Sequence, residues 1–433
     1  MLKALFVLSL LCLLFFPLAG NADNFTFSGY AKSYALAQDG ITIDIIDENA
    51  KEQSIAGNFQ SQNALRLMAS YLSSAKGNFE VHYEVQPLYF SNTDFAISSG
   101  GLGATISVAN TQYRFKDLNT VLDEVGDNGV ILQNLDRLNY QYSNKYGDLT
   151  VGRQVLSFGS SRFINPTDIF IPFAIQTLNQ EYRVGIDAIR YKADVGDFAV
   201  LDMGLIIGED AKKQNSAAFL RGKNSIAGND IELMAIVLDD AWLVGGGVER
   251  SIADFGFWFE TAYMSWHEQE VDISKINTES EYVSPYNDNY WRTSIGSDYA
   301  INEDVILMLE YHYNGAGSNN SNEYHELASQ APYQKAGVFL FGQHYIIPAV
   351  TWLASPLVSV SASAFYNISD NSVFVNVSSE TSWTDNLYSD FGVYLTAGDN
   401  LQYQNINTEN QYSFGSEFGA YPLSIYASLR YYF

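Results

Sequence analysis

The sequence predicts an all-β fold, a transmembrane antiparallel β-barrel of about 18 strands, with 16 strands as the alternative. Segments of about ten residues alternate between apolar and polar side chains, and this length crosses a bilayer when a strand is tilted. Tyrosine and phenylalanine are abundant, at 30 and 27 of 433 residues, whereas proline is scarce at 9. No segment after residue 22 approaches the roughly 20 apolar residues of a transmembrane helix. A barrel alternates apolar with polar residues, which agrees with the near-neutral mean hydropathy of −0.08.

The alternation is clearest over residues 423–433. Leu423 and Ile425 share one parity with the aromatic Phe433, while Ser424 and Arg430 occupy the other parity. A period of two places the two sets on opposite faces of a strand, so Arg430 is predicted to point into the lumen, away from its narrowest part. An aromatic ending of this kind resembles the last strand of bacterial outer-membrane barrels. That resemblance implies recognition of Phe433 by the barrel-assembly machinery.

Residues 1–22 are predicted to be a secretory signal peptide. Lys3 provides a positive charge, residues 5–16 form a short apolar core, and Gly20-Asn21-Ala22 supplies small residues at a cleavage site. The apolar core is too short for a transmembrane helix. The one cysteine, Cys12, falls inside this segment, so the predicted mature chain has neither a disulfide nor a cysteine metal site. Residues 23–433 are expected to form a single barrel after export through the periplasm.

The charge balance is strongly acidic. The formal charge is −26, and removal of Lys3 with the signal peptide makes it −27. Such a charge argues against nucleic acid as a partner. In a barrel it places acidic groups on loops and in the lumen, which favours divalent cations at the surface and cation selectivity in the pore. The alternative is that acidic loops only keep the protein soluble in transit. The expected surroundings are outer-membrane lipid and lipopolysaccharide of a Gram-negative cell.

The lengths of the connections decide the predicted number of strands. In bacterial barrels, short turns lie on the periplasmic side and long loops on the outer side, so the two kinds alternate. Without a strand between residues 208 and 229, the long segment 267–289 falls on the periplasmic side. One further strand over residues 217–223 restores the alternation and gives 18. Other predicted strands include 64–72, 137–143 and 149–156.

Residues 157–184 are predicted to fold inward and narrow the pore. The segment contains too many apolar residues for a free surface loop, among them Phe163 and Phe170. Packing against the inner wall of the barrel covers such residues. The stretch Asn165-Pro166-Thr167-Asp168 is a turn signal, in which Asp168 is expected to cap a following helical turn.

Positive charge is concentrated around this segment. Arg137, Arg190 and Lys192 have lumen parity, whereas Arg153 shares parity with apolar residues and lies either above the lipid band or on a strand redirected by a bulge at Gly152. One interpretation is a basic ladder that faces acidic side chains and orients solutes. The other is that the arginines only neutralise lumen carboxylates and hold the loop. The predicted constriction and selectivity residues are Arg137, Arg153, Arg162, Asp168, Arg183, Arg190, Lys192, Glu80, Glu84 and Glu310.

Part of the chain resembles a known family. The stretch Val151-Gly152-Arg153-Gln154, followed by Phe158-Gly159, Asn165-Pro166, Asp168 and Phe170, is similar to a motif of proteobacterial alginate-export-type and related outer-membrane porins. Residues 343–345 and 367–372 are similar to late-barrel motifs of uncharacterised porins in the same group. The resemblance implies a porin, and members of this group carry uronate polymers or small solutes. A strongly basic constriction, which alginate requires, is not expected in so acidic a chain.

No arrangement of residues indicates catalysis, a metal or a cofactor. His82, His267, His312, His325 and His344 are scattered, and no metal-ligand or nucleophile motif accompanies them, so an enzyme is not expected. The sequence favours a passive channel for small hydrophilic solutes or ions, with selectivity from the inward loop and the basic ladder. Two alternatives are a non-conducting surface receptor or adhesin barrel, and a polysaccharide exporter. A homo-oligomer is compatible with the sequence.

Overall fold

The fold is a closed β-barrel. The computed structural model describes residues 20–22, 24–45, 53–74, 76–92, 111–117, 120–170, 175, 181–267, 289–406 and 409–433. Eighteen antiparallel strands close the barrel, and two further short strands pair with the same sheet. The first strand pairs with both the second and the last, so that Ala35 lies opposite Ser61 on one side and Ala427 on the other. The predicted fold class and the count of 18 strands are therefore confirmed.

The barrel strands are numbered in chain order. They are β1 (Phe25–Gln38), β2 (Asn58–Ser74), β3 (Gly77–Phe90), β4 (Gly129–Asn144), β5 (Gly147–Gln154), β6 (Ile186–Val195), β7 (Ala199–Ile206), β8 (Ala217–Ile226), β9 (Asn229–Leu238), β10 (Ala241–Ile252), β11 (Phe255–Trp266), β12 (Tyr290–Ala300), β13 (Val305–Asn314), β14 (His344–Ser355), β15 (Val358–Asn367), β16 (Ser372–Thr384), β17 (Leu387–Ala397) and β18 (Ser424–Tyr432).

Short turns join the strands at one end of the barrel, here called the turn end, and most connections at the other end, the loop end, are longer. Residues 227–228 and 301–304 are turn-end connections, whereas residues 91–128, 155–185 and 315–343 are loop-end connections. Strand β8 occupies the position at which the alternation of short and long connections required an extra strand. Counting connections therefore located a strand that apolar alternation alone had not marked.

Several predicted strand boundaries were wrong. β2 begins at Asn58 and not at residue 64, and β4 begins at Gly129 and not at residue 137. Polar residues occupy both faces of β2 near the loop end, where Gln62 is buried and the adjacent Asn63 bonds to Ser33, so the apolar alternation disappears there. β5 ends at Gln154, two residues before the predicted boundary at residue 156.

The exterior of the barrel is apolar along strands whose interior face is polar. Leu233 and Val237 on β9, Ile295 on β12 and Leu309 on β13 are large exposed apolar side chains. Their neighbours along each strand point inward, because successive side chains of a strand alternate between its faces. This arrangement is expected where lipid covers the outer surface, and it makes the barrel a transmembrane one.

Aromatic side chains cluster on the exterior near both ends of the strands. Near the loop end, the ring centroid of Tyr263 lies 5.6 Å from that of Trp242 and 4.9 Å from that of Trp291. Near the turn end, the rings of Phe255 and Tyr299 stack with centroids 4.5 Å apart. Such belts mark the two interfaces of a bilayer. No helix among the described residues is long and apolar enough to cross a membrane.

Short elements accompany the barrel. Two helices, α1 (Tyr324–Leu327) and α2 (Ala331–Lys335), lie in the loop 315–343. Further strands are Gly20–Ala22 and Thr120–Val125 in the main sheet, and Ile41–Ile45, Gln53–Ile55, Leu401–Ile406 and Glu409–Phe414 in a separate four-stranded sheet. Single turns of 3-10 helix occur at Thr111–Tyr113, Glu209–Ala211, Lys213–Asn215, Ser321–Glu323 and Phe418–Ala420. The predicted signal peptide lies outside the described residues except for residues 20–22.

Two apolar clusters pack loops against the inner wall toward the loop end. In the first, Phe158 of the loop 155–185 lies 5.1 Å from Phe219 of β8 and 6.1 Å from Phe170 of its own loop, measured between ring centroids. In the second, Ile164 of the same loop packs in a cluster with Phe374 of β16. One loop therefore contributes to both clusters, and apolar packing fixes it inside the barrel.

Candidate functional site

Residues 155–185, here called the inner loop, connect β5 to β6 at the loop end. Residues 160–167 of this loop bond to side chains of β11, β12 and β13, whereas residue 181 bonds to side chains of β1 and β18. These two groups of strands lie in separate parts of the closed sheet. The inner loop therefore crosses the lumen, and its described residues are 155–170, 175 and 181–185.

Glu260 on β11 holds the first part of the inner loop. Its neighbour Phe259 is exposed on the barrel exterior, so strand alternation points Glu260 into the lumen. Its Oε2 accepts hydrogen bonds from the backbone N–H groups of Ser160 and Ser161 at 2.8 and 2.9 Å. Its Oε1 accepts from the N–H and the hydroxyl of Thr167 at 2.9 and 2.7 Å. Four donors thus satisfy one buried carboxylate and fix the backbone on both sides of a turn.

Glu310 on β13 holds the adjacent residues of the loop in the same way. Its carboxylate accepts hydrogen bonds from the backbone N–H groups of Arg162, Phe163 and Ile164 at 3.1, 3.3 and 3.0 Å. The indole N–H of Trp258 donates a fourth bond at 2.8 Å. Two carboxylates of the barrel wall therefore bind five consecutive backbone N–H groups of the inner loop, from residue 160 to residue 164.

Glycines on β10 leave room for side chains of the inner loop. A Cβ atom at Gly247, which lies opposite Glu260 in the sheet register, would be 2.6 Å from the hydroxyl oxygen of Ser160. A Cβ atom at Gly245 would be 2.7 Å from the methyl group of Thr167. A side chain at either position would therefore force the side chain of Ser160 or Thr167 to shift.

The far part of the inner loop is held at the opposite side of the barrel. Glu181 accepts hydrogen bonds from Lys32 of β1 and Tyr432 of β18, each at 2.5 Å, and lies 3.6 Å from a guanidinium nitrogen of Arg430. The guanidinium of Arg66 lies 4.6 Å from the ring centroid of the adjacent Tyr182. The prediction that Arg430 lies away from the inward loop is therefore wrong, because the loop reaches across to it.

A bulge in β4 builds a buried charge cluster beneath the end of the inner loop. The register between β3 and β4 shifts by one residue at Asp136, which lets Asp136 and Arg137 both turn away from lipid. Asp136 pairs with Arg66 and, at 2.6 Å, with Arg137, and lies 3.7 Å from Arg114. Its Oδ1 accepts the N–H of Gly185 at 2.8 Å. Asp136 therefore compensates three arginines and positions the residue at which the loop ends.

Asp168 and Arg183 form an ion pair between the two described parts of the inner loop. Arg137 donates to the carbonyl oxygen of Arg183 at 2.7 Å, which ties this pair to the wall. The N–H of Asp168 donates to the carbonyl oxygen of Asn165 at 3.2 Å, in agreement with the predicted turn, whereas most of the residues after Asp168 lie outside the described range. Burial raises the pKa of the Asp168 carboxyl above its ordinary range, although Arg183 opposes that shift.

One charge pair of the site faces solvent. A guanidinium nitrogen of Arg162 lies 3.1 Å from a carboxylate oxygen of Glu249 on β10, and the two side chains are 43% and 30% exposed. The Arg162 guanidinium also lies 5.1 Å from the ring centroid of Trp258. Because the Arg162 backbone is fixed by Glu310 while its side chain is half exposed, the residue presents a positive charge from the edge of the inner loop into the lumen.

Further basic residues line the inner face of β6 and β8. Arg190 pairs with Asp202 at 2.6 Å, and Lys192 lies one inward position nearer the turn end, where it is exposed. Arg221 and Lys223 on β8 both pair with Glu232 at 2.8 Å. These pairs form a band of mixed charge between the inner loop and the turn end.

Of the two positions predicted for Arg153, the structure shows the one outside the lumen, and Arg153 therefore does not line the predicted constriction. Its register partners are Leu138 and Asp187, and Leu138 is exposed on the exterior, so Arg153 takes the outward face at the loop end of β5. There it pairs with Asp187 at 2.8 Å. Gly152 has a φ of 115°, which only glycine adopts readily, but the register shift lies at Asp136 of the neighbouring strand.

Of the two interpretations of the basic residues, the structure does not show a ladder that faces acidic side chains, whereas Arg190 does pair with a lumen carboxylate and Arg137 does hold the inner loop. Glu80 and Glu84 lie on β3, directly beside the strand that carries Arg137, and so belong to the same part of the wall. Glu80 lies 2.9 Å from an imidazole nitrogen of His82, and Glu84 lies 3.6 Å from Arg66. Glu310 faces the backbone of the inner loop and not the ladder. These contacts depend on which strands are adjacent in the sheet. The alternation of residues along a strand does not show this for segments that are distant in the sequence.

Sequence reasoning missed Glu260 and Asp136. Glu260 follows Phe255, Phe257 and Phe259 at alternate positions, a signal that it points inward but not that it binds a loop. Asp136 lies between Leu135 and Leu138, whose spacing of three breaks the period of two and is the pattern of a bulge. The alternation before Glu260 predicts only that its side chain points inward. The spacing around Asp136 predicts only that the strand is irregular there.

Glu417 joins three loop-end segments. Its carboxylate accepts hydrogen bonds from Tyr345 of β14 at 2.5 Å, from Asn367 of β15 at 2.9 Å and from the N–H of Phe341 at 3.0 Å. Burial raises the pKa of Glu417 from 4.5 to about 8, against the opposing effect of these donors, and Asp370 adds to the rise. Glu417 therefore holds a proton at neutral pH in the folded protein.

The region held by Glu417 is expected to unfold more readily as the pH rises from 4.5 to about 8. Over this window the folded carboxyl binds a proton that the unfolded chain has released, so the free energy of unfolding falls, by on the order of a few kcal/mol. Amide exchange at Phe341 and Gly342, corrected for intrinsic rates, should report the loss. Glu417→Gln removes the titration and should flatten the profile. The same pH dependence in variant and wild type would contradict the assignment.

The fold and the site define a membrane-spanning barrel with one loop fixed across its lumen by charged side chains of the wall. Among the described residues, no group of three or more histidine, cysteine, aspartate or glutamate side chains is arranged to hold a metal ion. The arrangement can orient and discriminate charged groups in water, since fixed charges of both signs lie close together.

Solved structures share this fold. OccK7 (OpdD) of Pseudomonas aeruginosa is similar over 95% of this chain and 99% of its own, with a TM-score of 0.54 and 8% identity. OccK8 (OprE) of the same organism is similar over 96% and 99%, with a TM-score of 0.53 and 8% identity. A variant of Rhodopseudomonas blastica porin aligns over 94% and 100%, with a TM-score of 0.42 and 10% identity. No family model and no curated protein sequence matches the chain. At 8% identity, the likeness to OccK7 and OccK8 establishes the fold alone.

Proposed function

We propose that the protein is a porin of the Gram-negative outer membrane, forming a passive channel for small hydrophilic solutes or ions. The observation that carries this proposal is the inner loop, bound across the lumen by Glu260 and Glu310. A barrel of 18 strands otherwise encloses a wide aqueous channel. A loop held inside it reduces the cross-section while the outer, lipid-covered wall is left unchanged.

The inner loop and its basic neighbours set the selectivity of the proposed channel. Arg162 and Arg183 carry positive charge on the loop itself, while Arg190 and Lys192 continue it along β6 toward the turn end. Glu249 supplies the opposite charge beside Arg162. A solute then passes fixed charges of both signs within a short distance, which orders polar molecules and discriminates between ions.

The remaining predictions belong to the same proposal. Residues 1–22 direct export through the periplasm, Phe433 is recognised by the assembly machinery, and the exterior contacts lipid and lipopolysaccharide. Affiliation with alginate-export-type porins and assembly into a homo-oligomer stay predictions. Catalytic activity forms no part of the proposed function.

Planar bilayer recording with a salt gradient tests the proposal. Purified protein should give stable, ohmic current steps, and the reversal potential gives the ion preference. An electrically silent but folded protein would overturn the channel in favour of a receptor or adhesin barrel. Passage of a long polyanion with little change for small ions would favour a polysaccharide exporter.

Substitution of the exposed pair should move ion preference in opposite directions. Arg162→Ala removes a positive charge while keeping the backbone N–H that Glu310 binds, so the reversal potential should move toward cation preference. Glu249→Ala is the matched control and should move it toward anion preference. Both shifts should shrink as ionic strength rises, since exposed charges are screened. Unchanged reversal potentials in both variants would remove this pair from the selectivity-determining residues.

A further inference from the structure

Arg292 on β12 is a buried charge that pairs with no carboxylate in the part of the chain that the structure describes. It lies on the inward face, between the exposed Trp291 and the half-buried Thr293, and is only 4% exposed. Its Nε and Nη1 atoms make no hydrogen bond, and among the described residues no carboxylate lies within ion-pair distance of it. An uncompensated buried guanidinium is costly, so its surroundings must offset the charge.

Arg292 lies where the inner loop meets the wall. In the sheet register it stands between Ala262 of β11 and Asn314 of β13, one inward position nearer the loop end than Ser294. Ser294 donates a hydrogen bond to the carbonyl oxygen of Ile164 at 2.7 Å. Arg292 therefore lies on the same face of β12 as Ser294, which contacts the loop directly, and is its neighbour on that face.

Two carboxylates of the loop attachment interact electrostatically with Arg292. One is Glu260, which binds the loop backbone, and the other is Asp168, which belongs to the loop. Asp168 and Glu260 also repel each other. The Oδ1 atom of Asp168 is buried without a hydrogen bond, as are Nε and Nη1 of Arg292. Together with Arg183, which pairs with Asp168, these residues form a group of two positive and two negative side chains.

We propose that Arg292 is the positioning residue of the inner loop, joined to Asp168 through ordered water and offsetting the repulsion between Asp168 and Glu260. Water molecules commonly bridge buried donors and acceptors that have no direct hydrogen-bond partner. Removal of this charge leaves two like charges where the loop meets the wall, and the loop moves away from the wall. The inference deepens the proposed function, because it identifies what keeps the constriction in place.

Cysteine labelling tests the position of the loop without any ion flow. All labelling variants are made in a protein that carries Ser161→Cys, here called the parent. This change is almost isosteric and keeps the N–H that Glu260 binds. Residue 161 is buried in the wild type, so the parent should label slowly. The predicted mature chain has no other cysteine. Arg292→Met should raise the rate of labelling by a water-soluble maleimide by about tenfold, as expected for loss of a coupling of ordinary size. Arg292→Lys, which retains the charge, should stay close to the parent rate.

A charge-paired variant separates electrostatic positioning from packing. Arg292→Met combined with Asp168→Asn removes one charge of each sign and should return the labelling rate most of the way to the parent. Arg190→Met, which removes an inward arginine paired directly with Asp202, is the matched control and should leave the rate unchanged. Parent-like labelling of Arg292→Met, or no rescue by the double variant, would overturn the proposal.

Folding is checked by heat-modifiable migration in gels. If Arg292→Met does not fold, the double variant should still fold, and its failure to do so would assign Arg292 a packing role and overturn the proposal. A wild-type protein that labels slowly but carries no current would overturn the channel proposal while leaving the role of Arg292 intact. The two failures are therefore distinguishable.

Discussion

Replacement of Glu260 and Glu310 together by alanine is expected to release the inner loop and raise single-channel conductance several-fold. The two carboxylates accept seven hydrogen bonds from the loop, six of them from backbone N–H groups and one from the hydroxyl of Thr167. Each buried donor left unsatisfied costs about 1–3 kcal/mol, so the bound position of the loop loses several kcal/mol relative to a hydrated one. Bilayer recordings should show larger and noisier current steps.

Glu232→Ala provides the matched control for this experiment. Glu232 is also a buried, inward carboxylate, but it binds Arg221 and Lys223 of the wall and not the inner loop. Its removal should leave conductance near the wild-type value. The double alanine variant should also weaken the effect of Arg162→Ala on ion preference, because a released loop no longer presents Arg162 at a fixed position. Conductance equal to wild type in the double variant would show that the carboxylates do not set the width of the channel.

Replacement of Asp136 by alanine is expected to destabilise the barrel by about 3–5 kcal/mol, the usual cost of leaving buried charges without their partner. Arg66, Arg114 and Arg137 surround this carboxylate, and all three are buried. The N–H of Gly185 loses its acceptor at the same time. Urea unfolding of protein refolded into lipid vesicles should show a midpoint at markedly lower denaturant concentration.

Asp202→Ala is the comparison that shows how much of the destabilisation by Asp136→Ala comes from the burial of the arginine partners. Asp202 pairs with Arg190 and lies 3.6 Å from Arg221, but the Arg190 side chain is partly exposed, so water can replace the lost partner. Its effect on the midpoint should be clearly smaller than that of Asp136→Ala. Asp136→Asn keeps an acceptor for the N–H of Gly185, so its unfolding midpoint should lie between those of Asp136→Ala and Asp202→Ala. Equal destabilisation by both alanine variants would argue against Asp136 as the centre of a buried cluster.

Alternation and connection length together predicted the barrel correctly. β8 illustrates this, because the residues 217–223 were assigned from the need to alternate short and long connections, and the strand is Ala217–Ile226. Predictions failed where the apolar pattern stops, as at the loop ends of β2 and β4. Inward positions there carry residues such as Gln60 and Gln62, which bond to each other within the polar interior. Period-two patterns mark a strand only where lipid makes one face apolar.

The candidate site was predictable in part. The apolar content of residues 157–184 indicates a covered segment, because the need to cover apolar side chains follows from local composition. Arg153 and Glu84 illustrate the remainder, since one faces outward beside Asp187 and the other lies beside Arg66 of the adjacent strand. Glu260 contacts residues 93 to 100 positions away in the chain. Nothing in the sequence near Glu260 indicates which of its many distant neighbours it will meet.

The sequence by itself determined the barrel, its strand count and the inward or outward direction of most side chains. These follow from covalent geometry, because alternate residues of a strand must face opposite sides, and lipid and water demand opposite polarities. Only the tertiary structure decided which charges meet, since closure of the sheet and the path of the inner loop bring Glu260, Glu310, Asp136 and Arg292 to their partners. The distances between these charged groups depend on the register of all eighteen strands together, and local sequence patterns do not encode that register.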